Sequence, residues 1–193
     1  MRIIQPGPLI LQKTSLPGLK FKGHHQETLQ ISVLEEDIIR VQHFPDGKPR
    51  LSRTWSIAGK NGEVPLQGRS REDVSAFQLP SFKISKSTNK VQFSTATMQV
   101  EIDKLDGSLT WRTRPDLKIF AADLQRRAYS YDQNGETVFH YLERRPDEHY
   151  YGFGERSGPL DKYGRRMRML NLDALGYDAE IGDPLYKHIP FYI

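Results

Sequence analysis

The carboxylates near the C-terminal end of the chain are the residues best suited to chemistry. Four aspartates lie in a stretch rich in glycine and tyrosine that one regular element would not contain: Asp161, Asp173, Asp178 and Asp183. Glycoside hydrolysis needs a pair of carboxylates, as acid and nucleophile, about 5–5.5 Å apart or wider when water lies between them. Spacing alone selects no pair, and turn-forming or loop-capping aspartate is the alternative explanation for most of these residues.

Two other patterns suggest ligand binding but favour structural roles. The run Gly152–Gly158 reads G-x-G-x-x-x-G, yet Pro159 and Gly164 interrupt the helix that a dinucleotide fingerprint requires. We therefore interpret its glycines as permitting a tight turn and a close backbone approach. Three arginine pairs lie among acidic residues, which favours a solvated, ion-paired surface over a nucleic-acid site. These pairs are Arg126-Arg127, Arg144-Arg145 and Arg165-Arg166, with Arg168 close to the last.

The sequence predicts no metal site and no cofactor. His24 and His25 would face opposite ways on a strand, and the other histidines show no chelating spacing. The chain has no cysteine, which excludes disulfides, thiolate catalysis and zinc sites built from cysteine.

Composition indicates a globular protein outside the membrane. The formal net charge is only +4, with 28 basic and 24 acidic residues, so the charge argues weakly for nucleic acid. No stretch approaches the about 20 apolar residues of a membrane span, and the first residues do not resemble a signal peptide. We therefore expect a soluble, cytoplasmic protein with neither a nucleic-acid nor a membrane partner.

Alternating apolar residues predict strands and hairpins along most of the chain. Residues 29–33 and 39–41 alternate on either side of a polar break, and Asp106-Gly107 and Asn134-Gly135 are turn signals between further alternating runs. The prolines of the first 23 residues argue against central strands there. About eight to ten short strands with almost no helix predict an all-β, antiparallel β-sandwich.

Two segments are harder to assign from pattern alone. Residues 46–73 carry turn signals and charge without a period, so we predict a long loop with Trp55 and Ile57 as possible anchors. The segment AADLQRRA, residues 121–128, is compatible with one or two helical turns.

Three blocks near the C-terminal end resemble one known family. YYGFGER, LDKYGRRMRMLNLDALGY and DPLYKHIPFYI are similar, in order and spacing, to the end of the N-terminal domain of glycoside hydrolase family 31, the α-glucosidase family. The resemblance covers about residues 147–193 and implies a β-sandwich of the galactose-mutarotase-like type. It also implies a retaining enzyme whose two catalytic aspartates lie on a (β/α)8 barrel, and no carboxylate of this chain matches either of them.

The same resemblance implies a substrate-facing loop. Asn171-x-Asp173 matches the motif of a loop that reaches over the active-site mouth in this family, and its aspartate resembles a residue that binds substrate hydroxyls. Leu170 stands where the family often has tryptophan. Tyr177 is a candidate to line the loop, whereas Tyr186 is expected to have a packing role. The predicted substrate-binding residues are thus Asn171, Asp173 and Tyr177, with no catalytic residue in this chain.

These inferences define a domain and its partners. We predict an N-terminal β-sandwich domain over residues 1–190 that includes the substrate-facing loop near 165–183. Residues 191–193 would begin the connection to a catalytic barrel, because the apolar run YKHIPFYI has no cap or polar tail. The expected partners are that barrel in the same full-length chain and an α-linked oligosaccharide or glucoside substrate. The alternatives are a free-standing carbohydrate-binding module and a nucleic-acid-binding β domain.

Overall fold

Strands make up the regular structure of the protein. The computed structural model describes residues 2–134 and 136–193, and within them it contains sixteen strands and no helix. The strands are β1 (Ile3–Ile4), β2 (Ile10–Ser15), β3 (Gly18–Lys22), β4 (Thr28–Val33), β5 (Ile39–Phe44), β6 (Arg53–Thr54), β7 (Arg69–Ser70), β8 (Lys83–Lys86), β9 (Lys90–Ser94), β10 (Met98–Asp103), β11 (Leu109–Thr113), β12 (Ile119–Ala122), β13 (Ser130–Asp132), β14 (Val138–Phe139), β15 (Gly152–Gly154) and β16 (His188–Tyr192). A helix able to cross a membrane is not found in this part of the chain.

The chain divides into two compact units, one ending at Glu143 and the other spanning Arg144–Ile193. The first unit contains β1 to β14, and the second contains β15, β16 and the residues between them. The predicted domain boundary at residue 190 stays a prediction.

Two antiparallel sheets of the first unit enclose one hydrophobic core. The four-stranded sheet has the order β2-β3-β4-β5, and the five-stranded sheet has the order β12-β11-β10-β9-β8. Side chains from both sheets form a single buried cluster, with Phe21 and Ile31 on one sheet and Phe93, Val100 and Ile102 on the other. Because the inner faces of both sheets contribute to this cluster, the predicted antiparallel sandwich is confirmed.

Alternation and turn chemistry explain the two hairpins that the sequence predicts best. In β4 and β5 the register places Ile31 opposite Val41 and Val33 opposite Ile39. In β10 and β11 it places Val100 opposite Trp111, and Gly107 in the connecting turn has a φ of 75°, which favours glycine.

One core strand lies where the prolines argue against it. β3, at Gly18–Lys22, pairs with β2 on one side and with β4 on the other, so it is a central strand. Its Leu19 and Phe21 are almost fully buried. Pro17 immediately precedes β3 and therefore lies in the turn, where its missing N–H interrupts no ladder.

The irregular segments follow the prediction except at one residue. Residues 46–73 form a loop apart from the short pairing of β6 with β7. Ile57 is half-buried, but Trp55 is 65% exposed and donates its indole N–H to the Leu66 carbonyl at 2.9 Å, so the prediction of Trp55 as an anchor is wrong. Residues 125–129 form a turn rather than a helix. β13 and β14 pair as the predicted hairpin, and Gly135 of its turn lies outside the described residues.

Candidate functional site

A short antiparallel pair in the second unit brings together the ends of the predicted substrate-facing loop. β15 pairs with β16, with Gly152 opposite Tyr192 and Gly154 opposite His188. Both glycines have positive φ, and a Cβ atom on Gly154 would lie 2.7 Å from the Ile189 nitrogen. The glycines therefore permit a close backbone approach, as the sequence predicts for this run.

Arg156 links the beginning and the end of this loop through hydrogen bonds. Its Nη1 donates to the Arg168 carbonyl at 2.7 Å and to Asp183 Oδ1 at 2.8 Å. The Arg168 N–H also reaches Asp183 Oδ2 at 3.4 Å. Residues 168 and 183 are consequently held to one guanidinium, which closes the base of the segment that carries Asn171 and Asp173.

The Asn171 side chain stabilises the backbone of the second unit. Its side-chain oxygen accepts a hydrogen bond from the His188 N–H at 2.8 Å, which ties the loop to β16. The amide nitrogen of Asn171 has no hydrogen-bond partner among the described residues and stays available as a donor.

Three of the four candidate aspartates are engaged by the fold. Asp161 is paired with His149 at 2.7 Å and accepts the Tyr150 and Tyr163 N–H groups at 3.1 and 2.9 Å. The bond with His149 first, and then the two backbone bonds, lower the pKa of its carboxyl to about 2. Asp178 accepts the N–H groups of residues 180 and 181 at 2.7 and 3.1 Å, as a turn aspartate does. Asp183 is the partner of Arg156.

Asp173 differs from these three. Its side chain is exposed, and no hydrogen bond or ion pair within residues 2–134 and 136–193 engages its carboxylate. An ionised carboxylate offers two acceptor oxygens, so Asp173 is the candidate aspartate that can accept from an external donor.

Tyr177 lies on the same exposed segment. Its side chain is 55% exposed, and its ring stands perpendicular to that of Tyr186 at a centroid separation of 5.9 Å. The Tyr186 hydroxyl donates to the Ala174 carbonyl at 3.3 Å. Tyr186 thus contacts both the Tyr177 ring and the backbone next to Asp173, while more than half of Tyr177 stays exposed to solvent.

Arginines line a cavity at the base of this loop. The cavity has a volume of about 700 Å³ and is bordered by Arg156, Arg165, Arg166, Met167, Arg168 and Asp183, among others. The sequence marks the Arg165-Arg166 pair but favours a solvated, ion-paired surface, which is the situation of Arg145 with Glu148 at 3.1 Å. Arg156 has no sequence signal of its own, because its partners are 12 and 27 residues away.

The histidines with carboxylate partners have structural roles. His140 Nε2 lies 2.9 Å from the buried Asp123, which also accepts the Leu109 N–H at 2.9 Å. Within the described residues, no three histidine, cysteine or acidic side chains form a group that could hold a metal ion.

Comparisons with known proteins match most of the chain, including the second unit. Residues 28–193 match the glycosyl hydrolase 31 N-terminal galactose mutarotase-like domain. Alpha-glucosidase 2 of Bacillus thermoamyloliquefaciens is 26% identical over 165 residues, which cover 86% of this chain and 19% of that protein. The chain therefore spans about a fifth of the length of this curated relative.

Solved structures show the same fold. A GH31 dextranase of Flavobacterium johnsoniae, complexed with isomaltotriose, aligns with a TM-score of 0.76 at 17% identity, covering 98% of this chain and 21% of that one. The cycloalternan-forming enzyme of Listeria monocytogenes, in complex with a pentasaccharide substrate, aligns with a TM-score of 0.64 at 15% identity, covering 89% and 15%.

Proposed function

Because the chain belongs to the glycosyl hydrolase 31 family as its N-terminal galactose mutarotase-like domain, we propose that it shapes substrate binding in a retaining α-glucosidase-like enzyme. In this proposal the chemistry of glycosidic bond cleavage is done by a catalytic barrel of the same full-length protein. The domain supports that barrel and contributes the loop of residues 165–183 to the active-site mouth. The 193-residue chain by itself is expected to hydrolyse nothing.

One observation supports the proposed role of the loop. Among the four candidate aspartates, Asp173 is the one whose carboxylate has no hydrogen bond or ion pair within the described residues. Sugar hydroxyls are hydrogen-bond donors, and a carboxylate accepts two of them through bonds strengthened by its charge. A carboxylate fixed beside the reacting ring sets the ring's orientation, which is a positioning effect rather than acid–base catalysis. The free amide nitrogen of Asn171 can donate to a sugar oxygen, and the exposed Tyr177 ring can pack against the apolar face of a sugar.

The α-glucosidase assignment rests on the sequence relative, and the relatives known by structure include a dextranase and a cycloalternan-forming enzyme. An α-linked glucoside or oligosaccharide is the substrate class that these names share. A free-standing carbohydrate-binding module is not favoured, since the family match extends over residues 28–193 and is to a domain of glycosyl hydrolases.

Asp173→Ala tests the proposal in the full-length enzyme. We expect KM to rise and kcat/KM to fall by about 10- to 100-fold, because one or two hydrogen bonds to a charged acceptor contribute about 1.5–3 kcal/mol. Steady-state kinetics with an aryl α-glucoside and with maltose or isomaltose measure the effect.

Glu180→Ala is the matched control, because it removes another exposed carboxylate of the same loop whose side chain has no partner in the described residues. Its kinetics should stay within about twofold of the parent protein. Kinetics of Asp173→Ala that match the parent with every substrate would contradict the loop assignment, provided thermal unfolding shows that both variants are folded.

A further inference from the structure

The cavity at the base of the loop has an unusual charge. Its lining contains four arginines, Arg156, Arg165, Arg166 and Arg168, and one aspartate, Asp183, so the formal charge of the lining is positive. We call this the arginine pocket. It lies entirely within the Arg144–Ile193 unit.

Arg156 provides the strongest indication that the pocket binds something. Its side chain is only 2% exposed, and one of its nitrogens, Nη1, is satisfied by Asp183 and by the Arg168 carbonyl. Its Nε and Nη2 atoms are buried and have no hydrogen-bond partner among the described residues. Native proteins pair nearly all buried polar groups, so two unsatisfied donors on one buried cation need an explanation.

The two unsatisfied atoms form one recognition edge. Nε and Nη2 carry parallel N–H bonds on the same side of the guanidinium, which is the fork that binds a carboxylate or phosphate through two hydrogen bonds. The other side of the guanidinium is already occupied by Asp183. An oxyanion that reaches this edge would therefore not displace the structural partners of Arg156.

Neighbouring groups add donors rather than competing acceptors. The side chains of Arg165 and Arg166 form no ion pair within the described residues, and Ser157 contributes a buried hydroxyl that also lacks a partner. Arg165 lies close over Gly158, where an added Cβ would be 2.0 Å from its Nη1. Burial and then the positive charge of Arg165 lower the pKa of the nearby Lys162 ammonium, which is consistent with an excess of positive charge around the pocket.

From this arrangement we propose that the arginine pocket, whose lining does not include Asp173, is a binding site for an oxyanion of the phosphate type. Three arginines and a hydroxyl beside the Arg156 fork match a tetrahedral, multiply charged group. A volume of about 700 Å³ is in the range of small-molecule sites and exceeds the size of phosphate alone. The phosphate group can thus be free, or it can be carried by a sugar.

Nucleic acid fits the pocket less well than a small oxyanion does. Binding to single strands relies on aromatic side chains that stack on bases, and no aromatic residue of the part of the chain that the structure describes lines the cavity. The lining also includes a guanidinium that is almost fully buried, which an extended nucleic-acid backbone on a surface groove does not require.

Isothermal titration calorimetry on the full-length protein tests the proposal at low ionic strength and neutral pH, with inorganic phosphate, glucose 6-phosphate and glucose as probes. We expect phosphate to bind with a Kd of about 1 mM or lower. The double variant Arg165→Gln/Arg166→Gln should weaken binding by about tenfold or more, because two charged donors are lost. Arg127→Gln removes an exposed arginine of the other unit and should change the Kd by less than about twofold.

The sugar probes distinguish the two sources of the anion. Tighter binding of glucose 6-phosphate than of inorganic phosphate, with the binding of glucose itself unchanged by Arg165→Gln/Arg166→Gln, would identify a phosphorylated sugar, whereas equal binding would identify the free anion. Arg156→Lys keeps the charge but removes the fork, so it should also weaken phosphate; if this variant does not fold, the double variant decides.

Two results would overturn the proposal. One is the absence of heat with both phosphate probes up to about 10 mM. The other is an equal loss of binding in the pocket variant and in Arg127→Gln, which would indicate unspecific attraction to a basic surface. Asp173→Ala should leave phosphate binding unchanged, so failure of this proposal and failure of the substrate-loop proposal are distinguishable.

Discussion

Replacing Asp183 with asparagine is expected to destabilise the Arg144–Ile193 unit by about 3 kcal/mol, because it leaves the Arg156 guanidinium buried without its counterion. The Arg156 side chain is 2% exposed and that of Asp183 is 20% exposed, and their charged atoms are 2.8 Å apart. Breaking a buried pair by removing one partner costs about 3–5 kcal/mol, and the partial exposure of Asp183 argues for the lower end. The same change releases the Arg168 N–H, so the base of the loop opens.

Hydrogen exchange and limited proteolysis over residues 168–183, in a buffer free of phosphate, measure this effect. Asp147→Asn is the control, since it removes an exposed carboxylate of the same unit that has no partner in the described residues. The double variant Arg156→Met/Asp183→Leu should be less destabilised than Asp183→Asn, because replacing both members of a buried pair with apolar groups is often neutral. Equal protection of the loop in Asp183→Asn and in the control would show that the pair does not hold it.

The sandwich could be predicted from sequence because its signals are local. A strand with one buried face repeats every two residues, as Leu29, Ile31 and Val33 do, and Asp106-Gly107 supplies the turn for a hairpin. Such features lie within a dozen residues of each other. They identify strands and their neighbours before any long-range contact is known.

The prediction that the first 23 residues contain no central strand is wrong at β3. Proline argues against central pairing, yet Pro17 lies one residue before the strand, where its missing N–H interrupts no ladder hydrogen bond. The alternation of Leu19 and Phe21 with Lys20 and Lys22 is the signal that could have identified this strand. The prediction of Trp55 as an anchor is wrong for a different reason: its indole N–H donates to the Leu66 carbonyl, which allows the ring to stay 65% exposed.

From residue types and spacing alone, the site could be predicted only as a set of candidates. Asp161, Asp173, Asp178 and Asp183 all lie in one irregular stretch rich in glycine and tyrosine, and only the family resemblance singles out Asp173. What separates them is the identity of their donors, such as the backbone N–H groups held by Asp161 and the guanidinium of a residue 27 positions from Asp183. Those partners depend on the fold of the loop, which has no periodic pattern.

His43 has an environment that predicts acid sensitivity of the first unit. It lies in β5 opposite Leu29, with its ring 5.8 Å from that of Tyr129 and 5.5 Å from that of Tyr131. Both ring nitrogens are buried without a hydrogen-bond partner among the described residues. Burial lowers the pKa of His43 from 6.5 to about 4, although the Glu27 carboxylate acts in the opposite direction.

The direction in which pH changes stability follows from the pKa of His43 in the unfolded chain and its pKa in the folded protein. Between pH 6.5 and about 4 the unfolded chain protonates His43 while the folded protein keeps it neutral, so unfolding takes up a proton and stability falls as the pH is lowered. The stability from the neutral, buried ring is fully present above pH 6.5 and is lost progressively down to about pH 4. A shift of this size corresponds to about 3 kcal/mol.

His43→Phe should therefore remove most of this acid sensitivity, because phenylalanine fills the same space between the tyrosines without a titrating group. Urea unfolding followed by tryptophan fluorescence, to which Trp111 in contact with the core contributes, gives the free energy of unfolding at pH 7 and at pH 4.5. The loss of stability between these pH values should be about 2 to 3 kcal/mol smaller in His43→Phe than in the parent protein. His25→Phe, at an exposed position, should retain the parent's pH dependence. If His43→Phe loses as much stability on acidification as His25→Phe does, the acid sensitivity arises from other groups, and His43 takes up its proton without unfolding.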